Sequence, residues 1–244
     1  MSTSTTDRPV RVAALGDLHV VETHAHPYRD LFGEIAEEAD VMVLCGDLTN
    51  YGKLSEAEIL AADIETCRIP VVAVLGNHDY ECGHGDEVQT MLRQAGAHVL
   101  DGHAVELLGV GFAGAMGSMG GFGRNMLSSF GEPAVKRFVQ DMVDETMKLE
   151  NALRMLRTPR AMAITHYSPI PETLVGEPPE IFCFLGSSRI EEVINRFDNV
   201  RAAVHGHAHR GAPFGRTTTG VPVYNCAQMV ARQACGRPYA LIEL

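Results

Sequence analysis

The stretch VVAVLGNHD, residues 71–79, decides how this chain folds. Its five apolar residues, three of them valine, form a run too short for a helix and without polar alternation, which is the mark of a strand buried on both faces. Gly76 follows, where a tight turn needs freedom, and then three polar residues in a row: Asn77, His78 and Asp79. The same design recurs along the chain. VRVAAL (10–15) runs into Gly16, Asp17 and His19; VMVLC (41–45) into Gly46 and Asp47; AMAIT (161–165) into His166; and VRAAVH (200–205) into His207 and His209.

Helical segments lie between the first of these strands. One covers about 28–38. A second opens with Ser55 and Glu58 in capping-box spacing and runs to about 67, and a third, at 86–96, opens on acidic residues and stops at Gly96. Strands alternating with helices imply βαβ units around a parallel sheet. In such sheets ligands bind beyond the carboxyl ends of the strands, so five polar clusters distant in sequence converge on one edge.

The pattern then changes. Residues 103–115 read as two short strands. The Gly- and Met-rich stretch 114–126 fits a surface loop and equally a mobile lid, as an insertion at about 111–131. Pro133 opens a long helix reaching about 157. Its apolar residues Val135, Val139, Met142, Leu149, Leu153 and Leu156 fall near three-four spacing, for packing on its own sheet. Ser188 and Glu191 again have capping-box spacing, and 221–227 and 237–244 read as closing strands. Residues 1–9, rich in Ser and Thr, are expected to be a disordered tail, and 10–244 a single domain.

Composition narrows the chemistry. Of 244 residues 45% are apolar, ample for a sizeable core, and the formal charge is −11. Such a surface repels nucleic acid and anionic membranes, and no Lys/Arg block offsets it. An acidic protein that handles phosphate needs a local positive centre. No signal peptide and no membrane helix is expected, and six scattered cysteines without a C-x-x-C pair suit a reducing cytoplasm. A homo-oligomer is compatible with all of this.

The stretch AAVHGHAHRG (202–211) supplies the candidate centre. His205, His207 and His209 alternate among small residues, and neutral imidazole is the commonest side-chain ligand of first-row transition metals. The order D-x-H, G-D, G-N-H-D, H and G-H-x-H, each after a β-like run and spanning residues 12–209, resembles the calcineurin-like metallophosphoesterase superfamily. The resemblance implies a four-layer α/β/β/α sandwich of two mixed sheets with a two-metal centre at the strand ends. It implies that Asp17, His19, Asp47 and His209 hold one metal, and that Asp47, Asn77, His166 and His207 hold the other. Asp47 would bridge.

A bridge makes physical sense. Two dications about 3.5 Å apart repel by roughly 19 kcal/mol at an effective dielectric of about 20, and a carboxylate between them offsets part of that. Oxygen and nitrogen donors without thiolate suit Mn²⁺, Fe or Zn²⁺, with Mn and Fe favoured. The resemblance also implies attack by a metal-bridging hydroxide, charge stabilisation by Asn77, and His78 facing the substrate to protonate the leaving oxygen. Asp79 is expected to hold the His78 imidazole. His205 is expected to be structural, His24 and His26 to line the rim, and His84, His98 and His103 to be ordinary surface residues.

Among activities, GDLTNYGK lacks the arginine of protein phosphatases, and Asp79 replaces their glutamate. The acidic charge counts against a nuclease gripping long nucleic acid. The motif set is most similar to small bacterial phosphodiesterases of the class III cyclic-nucleotide group. The expectation is therefore hydrolysis of a small phosphodiester. A phosphomonoesterase, or a non-catalytic scaffold on the same fold, is the alternative.

Overall fold

The computed structural model describes residues 8–244, so most of the expected disordered tail lies outside the described residues. Arg8 itself is tied down, its guanidinium donating to both oxygens of Asp40 at 2.8 and 3.0 Å. The chain runs β1 (Arg11–Leu15), α1 (Arg29–Glu38), β2 (Val41–Cys45), α2 (Leu54–Ile64), β3 (Val71–Val74), α3 (Gly85–Gln94), β4 (His98–Val99), β5 (His103–Leu107), β6 (Val110–Gly114) and α4 (Pro133–Met155). It continues through β7 (Ala161–Ile164), α5 (Phe182–Leu185), α6 (Ser188–Ile194), β8 (Val200–His205), β9 (Phe214–Arg216), β10 (Pro222–Asn225), α7 (Gln228–Cys235) and β11 (Ala240–Glu243).

Two mixed sheets form. The first has the order β11-β1-β2-β3-β4 and the second β5-β6-β7-β8-β10-β9. β1 to β4 are mutually parallel, with β11 antiparallel at the edge. β6, β7, β8 and β10 are parallel, with β5 and β9 antiparallel at the two edges.

Strand alternation builds three apolar layers. Ala13, Leu15, Met42, Leu44 and Ala73 face α1 to α3, where Phe32, Ile35, Leu60 and Leu92 are fully buried. Their neighbours Val12, Ala14, Val41, Val43, Val72 and Val74 point the other way and meet Phe112, Met162, Ile164 and Val204 of the second sheet. Ala113, Ala161, Ala163 and Ala203 then face Leu149, Leu153, Ile190 and Ile194 of α4 and α6. Three apolar layers between four structural layers make the expected α/β/β/α sandwich.

Several local expectations shift. Ser55 does not cap α2. Lys53 takes that place, its N–H donating to Glu56, which also accepts from Tyr51 N at 2.7 Å. Ser55 Oγ donates to Glu22 instead. α6 is capped by Ser187, whose hydroxyl accepts from Arg189 N, while Ser188 Oγ takes the N–H of Gly123. Both misplacements arise because Ser and Glu repeat within a residue or two of the true cap. The Gly/Met-rich stretch begins at the end of β6 and is buried or half-buried to Phe122, and Gly123, Arg124 and Asn125 are exposed. Gly120 sits at φ +147°, a backbone conformation that residues other than glycine rarely adopt.

Candidate metal centre

The expected ligands collect at the carboxyl ends of β1, β2, β3, β7 and β8, and the backbone there is strained. Asp17, His19, Asp47 and His207 all have positive φ, between 46° and 67°, where non-glycine residues rarely sit. Four such residues in one site store on the order of 1–3 kcal/mol each, held by the sheets beneath, a pattern concentrated at functional sites. Glycines let the loops close on one another. A Cβ on Gly76 would lie 2.2 Å from Asp47 Oδ1, and one on Gly206 2.5 Å from Asp17 Oδ2.

The side chains form three overlapping groups whose ligand atoms lie within 4.8 Å of one another: Asp17, His19 and His209; His19, Asp47 and His78; Asp47, His166 and His207. His209 Nε2 is 2.9 Å from Asp17 Oδ1. Asp47 addresses both sides, with Oδ1 at 3.3 Å from His166 Nε2 and Oδ2 at 4.0 Å from His19 Nε2. Asn77 Oδ1 stands 3.1 Å from His166 Nε2. All seven residues implied as ligands by the sequence converge, and no cysteine thiol joins them. Burial and its neighbour Cys226 keep the Cys45 thiol well above its ordinary pKa.

These residues fit a cation pair. Both ring nitrogens of His19 are buried without a hydrogen-bond partner, a cost that a metal bond removes. Burial alone would raise the Asp47 carboxyl, yet the neighbouring His166 holds it below the carboxylate range. Burial would likewise lower His166, but Asp47 beside it raises the imidazole to about 9. A proton on His166 thus neutralises a carboxylate that calls for positive charge.

The profile of the calcineurin-like phosphoesterases matches residues 10–211. The chain belongs to the calcineurin-like phosphoesterase family. It is a metal-dependent phosphoesterase, and the dinuclear site used by the family is what its Asp and His groups fit. No curated protein matches it by sequence. Among solved structures it is similar to the phosphopantetheinyl hydrolase PptH of Mycobacterium tuberculosis, at 14% identity and a TM-score of 0.66, over 96% of each chain. It is also similar to the protein TT1561 of Thermus thermophilus, at 12% identity and a TM-score of 0.58, over 96% of this chain and 99% of that one. It is similar as well to GAP50, the anchor in the inner membrane complex of Plasmodium, at 11% identity and a TM-score of 0.53, over 91% of this chain and 73% of that one. At these identities the likeness is one of fold. No helix among the described residues of this phosphoesterase is long and apolar enough to cross a membrane.

The groups behind the ligands differ from expectation at one point. Asp79 does not hold His78. It is fully buried and accepts from Leu48 N (3.1 Å), Thr49 N (2.7 Å), Thr49 Oγ1 (2.6 Å) and Gly76 N (2.8 Å). Its carboxylate is taken up in stapling the second loop to the third. The His78 ring is oriented instead by the Asn50 carbonyl, which accepts from Nδ1 at 2.7 Å and leaves Nε2 4.0 Å from Asp47 Oδ2. His166 donates Nδ1–H to the Cys45 carbonyl at 2.9 Å, and His207 Nε2 is 3.2 Å from the Phe184 carbonyl. Each fixes which nitrogen stays open to a metal.

His205 is structural, as expected. Fully buried and pushed down to about 4 by burial, it donates Nδ1–H to the Gly206 carbonyl at 2.7 Å and accepts the Thr173 hydroxyl at 2.8 Å. His24 is exposed and bonded to Thr23, and His26 is turned onto buried Asp63 at 2.8 Å. Neither belongs to the ligand groups.

Sequence reasoning missed Tyr28, Thr173, Asn225 and Gln228. Gln228 Nε2 donates to the Asp17 carbonyl at 3.2 Å and to Tyr28 Oη at 2.8 Å, and Tyr28 donates to the Leu18 carbonyl at 2.6 Å. Asn225 Nδ2 donates to the Ala208 carbonyl at 2.8 Å. Asn225 ends β10 at the same sheet edge as the ligands, which was the one available signal.

Proposed function

We propose that this phosphoesterase hydrolyses a small phosphodiester. Asp17, His19, Asp47 and His209 would hold one metal; Asp47, Asn77, His166 and His207 would hold the second, with Mn²⁺ or Fe best suited to these donors. The two-metal site in this reading is carried by Asp47, whose two oxygens face different ligand groups from one buried position, and the diester preference rests on the motif set. When bound, the metal pair supplies Lewis-acid charge and water made acidic enough to attack phosphorus near neutral pH.

The chain's own residues do the rest. Two aspartates set against two dications leave the centre cationic, so it draws phosphate to a protein of charge −11. Asn77 places an amide beside the centre, where its N–H₂ can donate to a phosphoryl oxygen. His78 is half-exposed, with Nδ1 committed to Asn50, so Nε2 is the atom that gives a proton to the departing oxygen. Asp79 positions that residue through the backbone of its loop. The water oxygen bonds to phosphorus and gives up one proton to solvent, the ester P–O bond breaks, the electron pair leaves with the alcohol oxygen, which takes the proton from Nε2, and Nε2 is reprotonated from solvent.

The test pairs bis-p-nitrophenyl phosphate with p-nitrophenyl phosphate in the presence of Mn²⁺. Faster turnover of the diester is expected. Turnover of the monoester alone would replace the reading with a phosphomonoesterase, and no turnover of either with two metals bound would make the chain a scaffold. His78→Ala should keep its metals and lose about 10²–10⁴-fold on an alkyl leaving group, the range for a lost general acid, and less on p-nitrophenolate. Full alkyl-ester activity in that variant would remove His78 from the mechanism.

A further inference from the structure

The two ends of the metal centre are unlike. At one end stand His78 and the segment Asn50–Lys53, where exposed Tyr51 lies under the Lys53 ammonium and Lys53 is paired with Glu22. At the other, His207 is bonded through Nε2 to the carbonyl of Phe184, and the Phe184 ring begins three bonds from that carbonyl carbon. Phe184 is 56% exposed although its side chain is among the largest apolar ones. It is not on a loose loop. Leu185 O accepts from Ser168 N at 3.0 Å, Cys183 O from Gly120 N at 2.7 Å, Gly186 O from Gly121 N at 2.9 Å, and Gly120 O from Leu127 N at 2.8 Å. Together, α5 and residues 120–127 form one hydrogen-bonded unit fastened to the metal loop.

That unit has its own apolar underside. Leu174, Leu185 and Ala208 are buried together, with Phe122 and Phe182 packed against them, and Ala208 lies between the ligands His207 and His209. Leu127, within the unit, and Ile181, the residue before α5, are partly exposed, at 39% and 37%, along with Phe184. An exposed aromatic residue whose own carbonyl is bonded to a metal-ligand histidine marks a place where something apolar is received.

We propose that this rim seats an apolar arm of the substrate. The substrate class is then a phosphate diester whose retained alcohol carries an alkyl or acyl chain, lying on the His207 side while the other alcohol departs towards His78. This rests on the diester reading above. The rim supplies binding energy remote from phosphorus, and the arm stays on the product as an alkyl phosphate.

The test uses the full-length, Mn²⁺-loaded protein and a series of alkyl p-nitrophenyl phosphates from methyl to hexyl. In each turnover water oxygen bonds to phosphorus, the P–O bond to the ring breaks, and nitrophenolate, alkyl phosphate and a proton are released. KM is expected to fall roughly two- to fourfold per added methylene in the wild type, the scale of burying one CH₂. Phe184→Ser should flatten that dependence, Phe184→Leu should retain most of it, and Met147→Ser, an exposed apolar residue on α4, should leave it unchanged. Ile181→Ser should weaken it and serves as the second variant if Phe184→Ser does not fold.

A flat wild-type series with diester turnover intact would overturn the rim while leaving the diester reading in place. Turnover of p-nitrophenyl phosphate without any diester would sink both. A wild-type dimer dissociated by Phe184→Ser would also overturn it, by assigning the rim to a second copy of the chain.

Discussion

Beyond the ligand Asp17, whose carboxylate also accepts the His207 N–H, the loops leaving the first sheet are braced by buried charge and those leaving the second by neutral groups. Under the first sheet's loops, Asp79 gathers four donors from two segments, and buried Asp63 accepts from His26 Nδ1 and Tyr28 N. Under the second, Ser168, Thr173, His205 and Asn225 share hydroxyl, imidazole and amide bonds with the backbone of the His207–His209 loop. The difference has two consequences. Asp79 adds negative charge near Asp47, which favours cations at that end, whereas the second network fixes geometry without changing the field. Removing a charged staple also orphans several buried donors at once, while a neutral network loses one or two bonds per substitution.

The largest effect is therefore expected from Asp79→Ala. Leu48 N, Thr49 N, Gly76 N and the Thr49 hydroxyl lose their acceptor, and the metal-free chain should lose on the order of 4 kcal/mol in urea unfolding. Asp79→Ala no worse than Thr173→Val would erase the contrast between the two braces.

His205 sharpens it through pH. The folded state keeps this imidazole neutral down to about 4 because burial penalises its charge. The unfolded chain takes up its proton near 6.5. Stability contributed here is thus intact above about 6.5 and drains away as pH falls towards 4, by at most about 3 kcal/mol. His205→Gln in metal-free protein should flatten that part of the stability–pH curve. An unchanged slope would mean that the second network does not depend on a neutral ring.

The smallest effect should come from Gln228→Ala. It removes one amide from the Asp17 carbonyl and from Tyr28, costing about 1 kcal/mol with metal stoichiometry unchanged. Loss of a metal in that variant would move Gln228 from support into the centre.

How much of this could be read beforehand follows the same division. The strands that carry the site were legible because each is a short, mainly apolar run ending in polar residues, and the ligands because parallel strands deliver their ends to one edge. β8 has the bounds its sequence suggests. The braces were not legible. Asp79 lies beside His78 in sequence but bonds Thr49, 30 residues away, and sequence adjacency suggested the wrong partner. Thr173 in a short connection, Asn225 at the end of β10 and Gln228 at the start of α7 are single polar residues with no periodicity to mark them. β4, at two residues, and α7, at eight, were missed for want of length.

The central claim is that Asp47 joins two metal positions. Elemental analysis of purified wild type and Asp47→Ala, after identical loading with Mn²⁺ and desalting, tests it most directly. Two metals per chain are expected in the wild type and one or none in the variant. Two metals retained without Asp47 would contradict the bridge and the mechanism built on it.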